Sequence, residues 1–411
     1  MASMSGSKTR GNGISRWVRT AAVVCAASLA LSACAGTSGE KDHGKVITFG
    51  VIAPLSGAGA VYGEPQAYAI RTLAKQVNAE GGLKVGKDAY TIKVVVSDPK
   101  GDPSATRQII NKQIHDGIDF AISNGDPMDP ISVPVTEAKS IITLDNTANK
   151  AFYSAPYKYV LNGYATPDWA ALPFYEALEK LEPTIRTVHF VGVDAQFDHN
   201  HLKWSEEAAV KVGWKSLGST FYEGGTVDYS AILTGVVQQK PDLVSLGVPS
   251  GDTPKIARTL RDLGYQGRIA SPIPLADMAQ MVEGVGSDID GYYQADHVSY
   301  PANDAYAKFA KEYESLGVKA STTAAGYWVF FRMFLNAIQD AGSIGDPDAL
   351  IKSMAVQTFK TPFIDGEPEA WMGGKSRYGQ VRQLALPLVV NQVVDGKIVT
   401  RATEPRPSTL G

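Results

Sequence analysis

The chain has 411 residues, of which 44% are apolar and 20% charged, with a net charge of −3 and two cysteines. That length accommodates about two domains. The near balance of charge, with no basic stripe, argues against a nucleic-acid partner. Both cysteines, Cys25 and Cys34, lie close to the N-terminus, so the body of the chain has no disulfide, cysteine metal site or thiol nucleophile.

The first residues read as an export signal. Lys8, Arg10, Arg16 and Arg19 make a positive start, and TAAVVCAASLALSA (20–33) is an apolar run too short to span a bilayer comfortably. It ends in Leu31-Ser32-Ala33-Cys34, which resembles the lipobox of bacterial lipoproteins. Residues 1–33 are therefore expected to be a signal peptide, with Cys34 lipidated and 34–45 a polar tether. Such a chain sits on the outer face of the bacterial cell membrane, held by acyl chains rather than by a helix.

From residue 46 onward short strands alternate with helical patterns, as in α/β proteins with parallel sheets. VITFGVIA (46–53) is strand-like. The helix after it places Ile70, Leu73, Ala74 and Val77 on one face and stops at Glu80-Gly81-Gly82. YTIKVVVSD (90–98), a helix over 104–116, IDFAIS (118–123), a helix from about Pro127 and SIITLD (140–145) follow. The plan then repeats. Strands are expected at 187–194, 216–223, 242–248 and 268–274, with helices at 200–212, 228–240 and 253–264. In such sheets the loops at the strand C-termini form the ligand crevice. The tail differs: an aromatic helix (323–342), an irregular stretch EPEAWMGGKSRYG (367–379), and a β-hairpin over 386–399 turning at Asp395-Gly396.

The turn after the first strand, FGVIAPLSGAGAVYG, has glycines spaced GxGxxxG. This is close to the GxGxxG of dinucleotide-binding loops without matching it. An export signal also sends the chain away from the nucleotide pool. The glycines are read as the means of a tight strand-to-helix turn.

Several segments in this order resemble the type I periplasmic solute-binding proteins of the leucine/isoleucine/valine-binding family, which serve ABC importers. They are FGVIAPLSGAGAVYGE, VNAEGGL (77–83), DPKGDPSAT (98–106), DYSAIL (228–233) and ARTLRDLGYQG (257–267). The resemblance covers the chain after the tether. It implies a two-lobed α/β fold, each lobe a parallel sheet flanked by helices, with three hinge crossings and a solute clasped between the lobes. Lobe I is expected at 46–164 plus 299–375, and lobe II at 165–298 plus 376–411. GYATPD (163–168) and ADHVSYP (295–301) are the expected hinges.

The resemblance also implies a set of contacts. Tyr62 matches an aromatic that covers the cleft; packing on its own helix is the plainer alternative. Relatives hold an amino-acid carboxylate with the loop matched here by Asn124, Gly125 and Asp126. Asp126 stands where a hydroxyl is expected, and it suits an N-cap before Pro127 equally well. Asn146 and Thr147 match the segment that supplies a threonine hydroxyl, and Asp145 is a second acid beside them. In lobe II, Phe197 matches an aromatic against the ligand, and the loop carrying Pro249 and Ser250 reaches the cleft. Ile273 stands where relatives carry an acid for the ligand ammonium; Asp277 is the nearest substitute. Tyr327 matches an aromatic at the cleft mouth. With both anchors altered, the solute is amino acid-like, amide, aromatic, polyhydroxy or cationic rather than a standard leucine.

No GxSxG, HExxH or GxxxxGK[ST] occurs in the body. His199 and His201, beside Asp194 and Asp198, lie two apart and point to different sides of a helix, a poor metal pair. The expected protein is a monomeric receptor, not an enzyme, with no cofactor and no metal. Its partners are a small solute, the permease and ATPase subunits of an ABC importer, and the membrane through its lipid. The rivals are a sensor for a membrane signalling partner and a nucleotide-dependent enzyme built on the glycine turn.

Overall fold

A computed structural model describes residues 45–411 except 126–127, 164, 248–250, 275–276, 407 and 411. The expected signal peptide, Cys34 and tether, and the candidate contacts Asp126, Pro249 and Ser250, lie outside the described residues.

The first run of elements is β1 (Val46–Ile52), α1 (Ala60–Ala79), β2 (Leu83–Val85), β3 (Asp88–Ser97), α2 (Pro103–His115), β4 (Phe120–Ser123), α3 (Asp129–Glu137), β5 (Thr143–Asp145), α4 (Lys150–Tyr153) and β6 (Val160–Asn162). The second is α5 (Pro167–Leu181), β7 (Thr187–Val193), α6 (Gln196–Lys211), β8 (Lys215–Tyr222), α7 (Ser230–Gln238), β9 (Leu243–Gly247), α8 (Thr253–Asp262), β10 (Arg268–Ser271), α9 (Met278–Val285) and β11 (Tyr292–Asp296). The chain closes with α10 (Asp304–Glu314), α11 (Thr322–Ala341), α12 (Pro347–Met354), β12 (Thr358–Lys360), β13 (Glu369–Gly373), α13 (Lys375–Tyr378), β14 (Gln383–Ala385), β15 (Leu388–Val394) and β16 (Lys397–Glu404).

Among the described residues the strands form two sheets, ordered β12-β13-β14-β6-β5-β4-β1-β3-β2 and β16-β15-β11-β10-β9-β7-β8. Both are mixed. Each has a parallel interior; antiparallel strands close both edges of the first sheet (β2, β12 and β13) and one edge of the second (β15 and β16), whose other edge is the parallel strand β8. The apolar run of β1 explains its central place. Its side chains are covered on both faces, with Phe49 beside Phe120 at 5.2 Å and that ring edge-on to Phe334 of α11 at 5.0 Å. The aromatic helix α11 is thus core to lobe I, as its composition predicts; Phe330, Phe331, Phe334 and Ile338 are fully buried.

The third crossing lies later than expected. β14 pairs with β13 and with β6, so residues 376–385 belong with lobe I and the chain changes sheet between Ala385 and Leu388. The stretch read as irregular contains β13 and α13. The hairpin turns at Asp395 (φ 50°) and Gly396 (φ 68°), as expected for a tight turn of this sequence. Among the described residues no helix is long and apolar enough to cross a membrane.

Candidate functional site

The three crossings run between β6 and α5, between β11 and α10, and between β14 and β15. Where they converge there is a cavity of only ≈ 10 Å³, lined by Ala165, Ala295, Asp296, His297, Leu386 and Pro387. That is room for about one water molecule.

On the lobe I side, the glycine turn is a packing device. A Cβ at Gly63 would lie 2.0 Å from the Pro54 carbonyl oxygen, and Gly57 takes φ 67°. The turn delivers Tyr62 in the first turn of α1, half-buried, its ring centroid 6.2 Å from that of Phe197 on α6 of lobe II. Burial pushes the Tyr62 phenol up from its ordinary range, with the Asp198 and Asp252 carboxylates adding to the shift.

Asn124 clamps this turn to β4. Its Nδ2 donates to the Tyr62 carbonyl (2.9 Å) and to Gln66 Oε1 (3.1 Å), while Gln66 Nε2 donates to the Ser123 carbonyl (2.9 Å). Gly125 takes φ 62°, and a Cβ there would lie 2.4 Å from the Asn146 carbonyl oxygen. The β4 and β5 loops are therefore in backbone contact. Behind them sit two buried acids: Asp129, accepting from Ser123 Oγ at 2.7 Å, and Asp145, accepting from the Asn146 amide at 2.7 Å. Burial, with Asp129 alongside, raises the Asp145 carboxyl well above the usual carboxylate range.

Thr147 is fully buried. Its amide donates to Asn162 Oδ1 (3.1 Å), Asn162 returns a bond to the Thr147 carbonyl (3.0 Å), and Thr147 Oγ1 accepts from the Asn149 amide (3.1 Å). Its hydroxyl proton is left to donate. Asn146 Oδ1 is buried with no hydrogen-bond partner. Tyr327 is buried in α11 with its hydroxyl near Asn146.

On the lobe II side, α6 begins four residues earlier than expected, which puts Phe197 and Asp198 in its first turn. Asp198 is 4% exposed, its Oδ1 has no partner, and burial raises it to about 8. The ring of Phe197 packs on His201 at 3.9 Å, and burial lowers that imidazole to about 3. His199 turns elsewhere, to Asp194 (2.8 Å) and the face of Phe221 (3.9 Å). The two imidazoles thus face different partners, as their spacing predicts. Beyond them Tyr222 donates its hydroxyl to Asp252 Oδ2 at 3.0 Å.

Asp277 is used as a cap. Its Oδ1 accepts from the Gln280 amide of α9 (3.0 Å) and its Oδ2 from the Thr322 amide of α11 in lobe I (3.2 Å). Thr323 Oγ1 donates to the Pro274 carbonyl (3.0 Å) beside it. This carboxylate ties two helix N-termini together across the lobes, and both oxygens are taken. Asp277, the nearest substitute for the ammonium anchor, thus serves as a helix cap in this structure.

Two further cross-lobe groups were not singled out by sequence. Asp168, in the first turn of α5, is fully buried and accepts from Arg377 Nε (2.9 Å) and Tyr378 Oη (2.7 Å), with Lys150 Nζ at 3.2 Å. Lys150 also lies 4.6 Å over the ring of Trp204 on α6. The structure thus brings Tyr62, Asn124, Gly125, Asn146, Thr147 and Tyr327 to one wall, and Phe197 to the other.

Residues 46–397 match the profile of the periplasmic binding protein family. The chain is 23% identical over 365 residues to the Leu/Ile/Val-binding protein homolog 3 of Brucella melitensis, which covers 86% of this chain and 93% of that protein. Among solved structures it resembles an ABC-transporter solute-binding protein from Rhodopseudomonas palustris BisB5 in complex with 3,4-dihydroxybenzoic acid (TM-score 0.72, 17% identity, 89% and 99% of the two chains). It also resembles the leucine-binding protein LivK of Thermotoga maritima (TM-score 0.68, 18% identity, 87% and 99%). The chain, two sheets joined by three crossings, belongs to the periplasmic binding protein family, whose members bind rather than catalyse.

Proposed function

We propose that this protein is a lipid-anchored extracytoplasmic receptor that clasps one small solute between its lobes and delivers it to the permease and ATPase of an ABC importer. The observation that carries the reading is the meeting of Tyr62 and Phe197, rings from opposite lobes 6.2 Å apart at the strand C-terminal ends. A single chain supplies both walls, so a monomer suffices. Thr147, Asn146 and Gly125 border the same loops and are the proposed polar contacts, with Tyr327 behind them; Pro249 and Ser250 are retained as contacts from the sequence. The names of relatives support transport, and Leu31-Ser32-Ala33-Cys34 supports the anchor.

A thermal-shift screen of several hundred amino acids, amides, aromatic acids, polyols and amines tests this. One solute class is expected to raise the melting temperature with one site per chain. A Tyr62→Ala, Phe197→Ala double variant is expected to bind the hits at least about tenfold more weakly. Hits that bind it undiminished would place the site elsewhere.

A further inference from the structure

The chemistry of the two walls narrows the solute class, on the premise that the cleft between the lobes is the receptor site. Asp198 Oδ1 is a buried carboxylate oxygen with no donor. It stands beside Phe197, and its charge acts on Tyr62 of the opposite lobe and on Tyr222, which places it on the face turned to lobe I. On the other wall Asn146 Oδ1 is also buried without a donor. Orphaned buried acceptors are costly, and an N–H group relieves the cost.

The charge around them has one sign. The described residues of 53–63, 120–138, 141–149, 190–202, 243–254 and 269–277, which hold the strand ends and the turns after them, include no Lys or Arg. They do include Asp129, Glu137, Asp145, Asp194, Asp198, Asp252 and Asp277. Of the bases just beyond, Lys150 is committed to Asp168 and the Trp204 face and Lys255 to Asp252 at 3.4 Å, while Lys139 and Lys203 are exposed on the outer surface. An anion entering here finds no Lys or Arg within these segments to pair with. A cation finds acids that can ionise to pair with it, beside the rings of Tyr62 and Phe197.

We infer that the cleft takes a small organic cation bearing N–H donors, a protonated amine or a guanidinium, with its charged end against Asp198 between the rings of Tyr62 and Phe197. The ionisable groups around Asp198 are Tyr62 from α1, Tyr222 from β8 and His201 on its own helix, with Asp252 acting on the same two phenols. Below pH 8 Asp198 is protonated in the empty protein, and an arriving cation favours the ionised form. The Asp198 O–H proton then leaves to solvent as the cation pairs with the carboxylate. Affinity therefore falls on acidification below pH 8, by at most about tenfold per pH unit.

Calorimetry of the intact protein with benzylamine and agmatine, against benzoate and benzyl alcohol, tests this. Benzylamine or agmatine is expected to bind, benzoate and benzyl alcohol are not, and heats measured in several buffers at pH 7 should show release of about one proton. Asp198→Asn should weaken binding about 30-fold, and Tyr62→Leu about fivefold. The proton release is read on the unaltered protein and stands even if Asp198→Asn folds poorly. Binding of benzoate or benzyl alcohol without proton exchange overturns the cation class and leaves the receptor reading intact. So does a wide screen whose hits contain no amine or guanidine. Silence from every compound in that screen overturns both.

Discussion

At the scale of single residues, the cleft retains groups whose charged form the fold opposes. Asp198 is the clearest. Its pKa in the fold, about 8, lies above the ordinary carboxylate value, so the folded chain holds a proton that the unfolded chain has released. Stability from this group is full below about pH 4 and is lost as pH rises toward 8. His201, lowered to about 3 by burial, acts oppositely: its contribution is present above about pH 6.5 and lost as pH falls toward 3. The two slopes overlap in the whole protein, so a difference measurement is needed. Melting of the empty protein and of Asp198→Asn should coincide near pH 4. The variant should then gain on the unaltered chain by up to about 1.4 kcal/mol per pH unit toward pH 8. Curves that stay parallel over that range would mean Asp198 is ionised and paired.

At the scale of elements, what the sequence discloses follows the rules for local structure, and what it hides depends on distant partners. The starts of α2 and α12 are legible because Asp102-Pro103 and Asp346-Pro347 pair a cap with a first-turn proline; the carboxylates accept from Ser104 N (2.7 Å) and Ala349 N (2.9 Å). The start of α6 is not legible. Its cap position is Ala195, and Asp194 is turned to His199 instead of capping. That shift kept Asp198 from being read as part of the cleft wall. β14 is three residues long and finds its partner β6 more than two hundred residues upstream, so no local pattern announces it. Tyr62 and Phe197 were legible only through family resemblance; periodicity alone leaves them as helix residues. Asp277 shows the limit of such transfer, since its oxygens serve two helix ends.

The α4–α6 contact is likewise invisible in sequence and has a functional consequence. Lys150 of lobe I rests on the Trp204 ring of lobe II at 4.6 Å, a contact that exists only while the lobes are together. Replacing Lys150 by methionine should bias the molecule toward an open form. Solute affinity should fall about fivefold, mostly through faster release, with a stability loss smaller than that of Asp168→Asn, because Arg377 and Tyr378 still hold Asp168 when its 3.2 Å pair with Lys150 is lost. An unchanged release rate would show that the contact does not report on closure.

At the scale of the molecule, a two-lobed receptor needs both a latch and a pivot, and they are distinguishable by what their loss does. Asp168 is the pivot. It lies in the first turn of α5, where a negative charge is favoured by the helix end, and it binds Arg377 and Tyr378 from the first sheet's side of the crossing. Around it Trp169, Tyr153, Trp371, Tyr378 and Leu410 form one apolar cluster that joins the lobes at the crossings. Groups at an axis keep their contacts whether the cleft is open or shut, so they stabilise both states alike. Asp168→Asn leaves Arg377 without its carboxylate in a site where the acid is wholly buried and the arginine is 31% exposed. The expected cost is about 2–3 kcal/mol of stability, less than for a fully buried pair because solvent reaches the arginine. Urea denaturation should record that loss while calorimetry shows solute affinity unchanged within about twofold. Lys150→Met should show affinity lost with the smaller stability loss, since it removes only one of the partners of Asp168. If Asp168→Asn instead weakens binding without lowering stability, the axis of closure lies elsewhere and this ion cluster belongs to the closed state alone.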